Sequence, residues 1–114
     1  MKRFTIHFND GDMNFPVSEL PQVAEDSHAV LREAKAAGVW IFGGGFFEDK
    51  PVVVTEDGVV KPGPIKASDV RLGGFSVIEV ASEDEAYKWA AKIAKGCRCP
   101  QEVREMIYDS ERTR

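Results

Sequence analysis

Leu72-Gly73-Gly74-Phe75-Ser76-Val77-Ile78-Glu79-Val80-Ala81-Ser82-Glu83-Asp84-Glu85-Ala86-Tyr87-Lys88-Trp89-Ala90 is the stretch from which the fold can be read. Two glycines release a strand. Phe75 and Val77 then alternate with Ser76, Ile78 and Val80, the period of two expected of a strand with one face in a core. Ser82 followed by Glu85 forms a capping box, in which the hydroxyl satisfies an early helix N–H and the carboxylate reaches back to the Ser82 N–H. Ala86, Trp89, Ala90 and Ile93 repeat at helical spacing. Such a βα unit needs a sheet on which to lay its helix.

Upstream, residues 2–9 read as a first strand, with Phe4, Ile6 and Phe8 on one face and Arg3, Thr5 and His7 on the other. Asp10-Gly11-Asp12 ends it as a turn; the rest of a calcium-ligand loop is missing. Residues 20–37 form the first helix, with a buried stripe of Val23, Ser27, Val30, Leu31, Ala34 and Ala37, and Gly38 stops it. A strand over 39–47 follows, and its Gly43-Gly44-Gly45 marks a bulge or a close backbone approach. These glycines lack the spacing of a dinucleotide loop, and no helix opens after them. Residues 51–61 read as a hairpin around Glu56-Asp57-Gly58. A last strand is expected over 101–108, with Val103 and Ile107 sharing a face.

The order is β-α-β-(hairpin)-β-α-β. That order gives an α+β, ferredoxin-like domain: an antiparallel sheet with both helices on one face. Two helices cover one face only, while Phe75 and Val77 on one side and Ile78 and Val80 on the other make both faces apolar. Exposing such a face costs on the order of 25 cal/mol per Å². A homodimer that pairs two sheets is therefore expected.

At 114 residues the chain is long enough for one two-layer core and too short for two. Its net charge of −4 offers no electrostatic reason to bind nucleic acid or an anionic membrane. No run approaches the ~18 apolar residues of a membrane span, and His7, Asn9, Asp10 and Asp12 interrupt any signal-like start, so a cytoplasmic chain is expected. Cys97-Arg98-Cys99 has one intervening residue, poor geometry for a disulfide and not the two-residue redox spacing. The pair reads as reduced. Two thiolates without a nearby histidine make no metal site, and no HxxxH or HxH spacing occurs.

Asp57-Gly58, Gly63-Pro64-Ile65, Gly73-Gly74-Phe75, Val77-Ile78-Glu79-Val80, Ser82, Asp84-Glu85-Ala86, Trp89-Ala90 and Glu102-Val103-Arg104 resemble the YCII-related proteins, and specifically their DGPF branch. The resemblance implies a dimeric ferredoxin-like α/β-barrel, with a domain over 1–108 and a charged tail over 109–114. Some members are proposed to be enzymes that use a histidine on the first helix with a nearby aspartate, and a dehalogenating branch exists. His28 falls where that histidine would. The motif that names the branch reads Pro62-Gly63-Pro64-Ile65 here, with proline in place of aspartate, and Asp69 lies a few residues downstream.

A histidine acts as a general base when its pKa lies near ambient pH and a carboxylate orients its ring. For His28 the candidate orienters are Asp69, Asp26 and Glu25. On the helical wheel His28 lies at the margin of the buried stripe and not at its centre, a position that favours a solvent-edge histidine over a pocket role. Thr5 and His7 would hold a polar ligand if their strand face lined a cavity; otherwise His7 is a surface or interface residue. Gly44 marks where a pocket between sheet and helices would open. Glu79 and Arg104 are expected to form an ion pair between strands. The reading that results is a small, cofactor-free homodimer binding a small molecule; the alternative is a hydrolase or lyase, dehalogenase-like, with His28 as base and Asp69 beside it.

Overall fold

The computed structural model describes residues 1–9, 11–47, 51–67 and 71–112. Its elements in chain order are β1 (Lys2–Asn9), α1 (Leu20–Ala36) entered through a short turn of 3-10 helix, β2 (Trp40–Gly45), β3 (Val52–Val54), β4 (Val60–Pro62), β5 (Leu72–Val80), α2 (Glu83–Cys97) and β6 (Glu102–Glu105). The main sheet has the order β2-β5-β1-β6, with every neighbouring pair antiparallel. With the β3–β4 hairpin set apart as a separate two-stranded sheet, this is the ferredoxin-like α+β arrangement.

The register explains the two faces. Phe4 lies opposite Ile78 and Ile6 opposite Ser76, so Phe4, Ile6, Ile78 and Val80 share the face that packs on Ala86 and Ala90 of α2. Val23 and Ala34 bring α1 onto the same layer, and both are buried. The stripe on α1 is narrower than its sequence suggests. Ser27, Val30 and Leu31 are half-buried and Ala37 is exposed, because the helix ends at Ala36 and Ala37 serves as its cap. Gly38 takes φ +76°, and the N–H groups of Gly38 and Val39 donate to Lys35 O and Ala34 O, both at 3.1 Å.

Three local expectations need correction. The Glu85 N–H does donate to Ser82 Oγ, but the Glu85 carboxylate accepts from the Ala81 N–H at 3.2 Å, one residue before the cap. The last strand stops at Glu105, and Ile107 is exposed rather than sharing a buried face with Val103. The reason lies in the partner: Met106 N–H donates to Arg3 O, and β1 begins only one residue earlier, so little backbone remains to pair. Glu79 and Arg104 do not pair, since β1 separates their strands; Arg3 Nε donates to Glu79 Oε2 at 2.9 Å instead.

The glycines of β2 act through close approach. The ladder irregularity falls between Trp40 and Phe42, just before them. A Cβ on Gly43 would lie 2.7 Å from Phe75 O and 2.8 Å from the Trp40 ring, whereas one on Gly44 would meet nothing within 4 Å.

The two helices cross closely at Gly96, where a Cβ would come within 3.3 Å of Asp26 O and 3.4 Å of Ser27 Cα. Immediately beyond, Arg98 adopts a left-handed conformation at φ +61°. This costs a non-glycine residue about 1–2 kcal/mol. The guanidinium offsets it by donating to Lys95 O at 3.0 Å, Gly96 O at 2.8 Å and Asp26 Oδ2 at 2.7 Å.

The face of the sheet away from the helices carries Arg3, Thr5 and His7 in register with Glu79, Val77 and Phe75, with Phe42 and Gly44 alongside on β2. Phe42 and Phe46 set their rings 6.1 and 5.9 Å from that of Phe75, and both remain more than half exposed. Together with the hairpin, whose Val52, Val54, Val59 and Val60 are also exposed, this gives a flat slab of 43 × 43 × 19 Å.

Candidate functional site

A cavity of about 300 Å³ lies where α1 and α2 diverge from the glycine end of the sheet. From the helices it takes Ser27, His28 and Leu31 of α1 with Ile93 and Cys97 of α2; from the sheet it takes Phe8, Trp40, Ser76 and the backbone of Gly43, Gly44, Gly45 and Phe75. Met13 closes one side. The walls are aromatic and aliphatic, with His28, two hydroxyls and glycine backbone as the polar groups. That composition suits a small ligand with a flat apolar body and few polar substituents. A wider depression of about 550 Å³ follows the hairpin, but the hairpin and its flanks, Pro51, Gly63, Pro64 and Arg71, form it without a second layer.

His28 thus lines the cavity although it is exposed on α1. Neither neighbouring carboxylate in sequence is committed to it. Asp26 accepts from Arg98 Nη2 at 2.7 Å and from Gln22 Nε2 at 2.8 Å, and the Arg98 guanidinium, followed by Gln22, holds its carboxyl below the usual range. Glu25 pairs with Arg32. Asp69 lies outside the described residues.

Gly44 belongs to the same cavity, whereas His7 and Thr5 stand on the opposite face of the sheet, so the binding residues expected from sequence divide between two sites. His7 sits in a polar cluster there: Arg104 Nη1 lies 2.8 Å from His7 Nε2 and 3.0 Å from Glu102 Oε2, and His7 Nε2 is 3.2 Å from the same carboxylate oxygen. Nε2 cannot accept from Arg104 and donate to Glu102 at once. The neutral ring protonated on Nδ1 takes the first bond; a ring that carries a proton on Nε2 takes the second. Arg104, and then His7, hold the Glu102 carboxyl below its ordinary range.

Sequence reasoning reads Cys97 as half of a reduced pair and does not place it at the cavity. Cys97 continues the stripe Ala86, Ala90, Ile93 by one further turn, which is the signal that places it against the cavity. Its thiol donates to Ile93 O at 2.9 Å, and its sulfur lies 3.4 Å from that of Cys99. Gln101 Nε2 reaches the two sulfurs at 3.1 and 3.4 Å. Burial above all, then the neighbouring Cys97, pushes the Cys99 thiol up to about 12. Among the described residues no group of three or more His, Cys, Asp or Glu side chains could hold a metal ion.

The sheet order, the two helices on one face and a ligand-sized cavity between the layers define a ferredoxin-like α+β domain. The chain belongs to the YCII-related family, since the model of the YCII-related domain matches residues 4–107. Among solved structures it is similar to 5-chloro-2-hydroxyhydroquinone dehydrochlorinase from Burkholderia phenoliruptrix AC1100, in complex with 2,5-dihydroxybenzoquinone. The TM-score is 0.54 at 16% sequence identity, covering 97% of this chain and 98% of that one. At that identity the likeness is one of fold. No curated protein matches the chain significantly. No helix among the described residues is long and apolar enough to cross a membrane.

Proposed function

We propose that this protein binds a small, flat, oxygen-substituted organic molecule in the cavity between sheet and helices, and that it does so as a homodimer. The observation that carries the reading is the cavity itself, with aromatic walls from Phe8 and Trp40, a glycine edge, and the His28 imidazole on its rim. The dihydroxybenzoquinone bound by the similar dehydrochlorinase belongs to the same chemical class. The dimer is supported by the exposed Phe42 and Phe46 and by the flatness of the slab. A cytoplasmic setting suits the two free thiols.

The test is a titration with a panel of hydroxylated quinones and aromatic acids, followed by amide NMR. Expected are shifts at Gly44, Ser27 and His28 that disappear in Leu31→Trp, whose ring fills the cavity. Binding that survives Leu31→Trp unchanged, or no binding across the panel, would refute the reading. For the assembly, light scattering should give twice the 12.6 kDa chain mass, reverting to the single mass in Phe42→Asp. A monomeric wild-type protein would sink the dimer.

His28 on the cavity wall favours a second reading, elimination from a halogenated ring substrate with His28 as general base. Replacing a general base lowers the rate about 10²–10⁴-fold. His28→Gln should therefore abolish halide release from a chlorinated hydroxyquinol while leaving binding of the product-like quinone intact. Halide release at the wild-type rate in that variant would eliminate catalysis by His28.

A further inference from the structure

The cysteines at the end of α2 form a site that the binding function leaves unused. Both are buried, 7% and 5% exposed, and both are free. Their sulfurs are nevertheless 3.4 Å apart, because the left-handed Arg98 turns the chain back between them. A disulfide requires about 2.05 Å, so each sulfur needs to move only about 0.7 Å. Gln101 Nε2 lies against both sulfurs and fixes them side by side. Of the two, Cys97 lines the cavity and Cys99 does not, so a small reagent that enters there meets Cys97 first.

We propose that Cys97 and Cys99 are an oxidisable dithiol that closes to an internal disulfide when a small hydroperoxide enters the cavity. The Cys97 thiolate attacks the peroxide, an S–O bond forms as the O–O bond breaks, and water or an alcohol leaves. Cys97 is then a sulfenic acid. The Cys99 sulfur attacks the Cys97 sulfur, the S–S bond forms, the S–O bond breaks, and the oxygen departs as water carrying the remaining thiol proton. Two thiols have lost two electrons to one peroxide, which is reduced to two oxygen-bearing products. The order of attack follows access, and the raised Cys99 thiol agrees with it. Cys99 is held as the thiol chiefly by burial and then by its hydrogen bond with Cys97. Closure also withdraws the Cys97 thiol from Ile93 O, so the cavity wall changes with the oxidation state.

Reduced wild-type protein is exposed to hydrogen peroxide at neutral pH, denatured with iodoacetamide and weighed intact. The expected product has lost two hydrogens, carries no alkyl group on either cysteine, and keeps the single-chain mass on a non-reducing gel. It should exceed over-oxidised Cys97 by about tenfold or more, since the adjacent sulfur captures the sulfenic acid before a second peroxide arrives. Both cysteines still alkylatable after exposure, Cys97 gaining two oxygens while Cys99 remains alkylatable, or chains cross-linked to one another would each overturn the proposal. In Cys99→Ser, dimedone should trap Cys97 as the sulfenic acid, and in Cys97→Ser, Cys99 should stay unoxidised. Rapid oxidation of Cys99 in that second variant would overturn the assigned order, and the wild-type measurement stands without either variant.

Discussion

The three glycines of β2 make a sharp test of the geometry, because neighbours in sequence should respond in opposite ways to the same methyl group. In Gly43→Ala the new Cβ would sit 2.7 Å from Phe75 O, 2.9 Å from Ser76 Cα and 2.8 Å from the Trp40 ring. Two of those three atoms are backbone of the central strand β5 and cannot swing aside. The sheet must open at its β2 edge, and Trp40 must shift from its place against the core. Overpacking of this kind costs about 1–3 kcal/mol, and the entropy saved by removing a strand glycine returns about 0.5–1 kcal/mol. The net expectation is a loss of about 1–2 kcal/mol. In Gly44→Ala the methyl enters open space, so only the entropic gain remains. Urea unfolding followed by far-UV circular dichroism resolves the difference. With a slope of about 1–3 kcal/mol per molar, the Gly43→Ala midpoint should fall by roughly 0.3–2 M while that of Gly44→Ala holds or rises. Equal midpoints for the two variants, or a larger loss at Gly44, would refute the placement of β2 against β5 and with it the shape of the cavity.

Asp26, whose carboxyl is held low by Arg98, stabilises the fold above its ordinary range and loses that contribution as pH falls through the depressed value. Asp26→Asn should therefore flatten the acid limb of the stability curve in denaturant titrations between neutral and strongly acidic pH; an unchanged acid limb would contradict the pairing. At the other end, Cys99 titrates at about 12 in the fold against 9.0 when free, so its stabilising effect is complete below pH 9.0 and is lost as pH rises toward 12. Cys99→Ala should show a shallower alkaline decline than wild type, and identical slopes would mean that the thiol is not held protonated.

The layer architecture was legible because the signals that encode it are local. The alternation in 72–80, the Ser82 cap and the stripe of α2 are each written in adjacent residues, and the antiparallel order of the sheet follows from the order of the elements. Side-chain partners were less legible, since they depend on which strand lies between which. Glu79 and Arg104 have opposite charges and similar strand positions, yet β1 intervenes and Arg3 takes the carboxylate. The candidate site was read in halves. His28 and Gly44 do meet at one cavity, but Thr5 and His7 follow Phe75 and Val77 to the opposite face of the sheet. Period two assigns residues to faces without saying which face the helices will cover. The closeness of the Cys97 and Cys99 sulfurs was illegible for a different reason: it depends on the left-handed turn at Arg98, a conformation that an arginine does not advertise.

The close crossing at Gly96 has a consequence for how ligand size could evolve. Asp26 and Ser27, against which Gly96 rests, immediately precede His28, so a single hydrogen sets the spacing of the two rods that frame the opening. A methyl at that position would act as a shim, prying α1 from α2 and widening the aperture without altering any group a ligand touches. The caliper of the opening is thus set from one position that has no side chain in it.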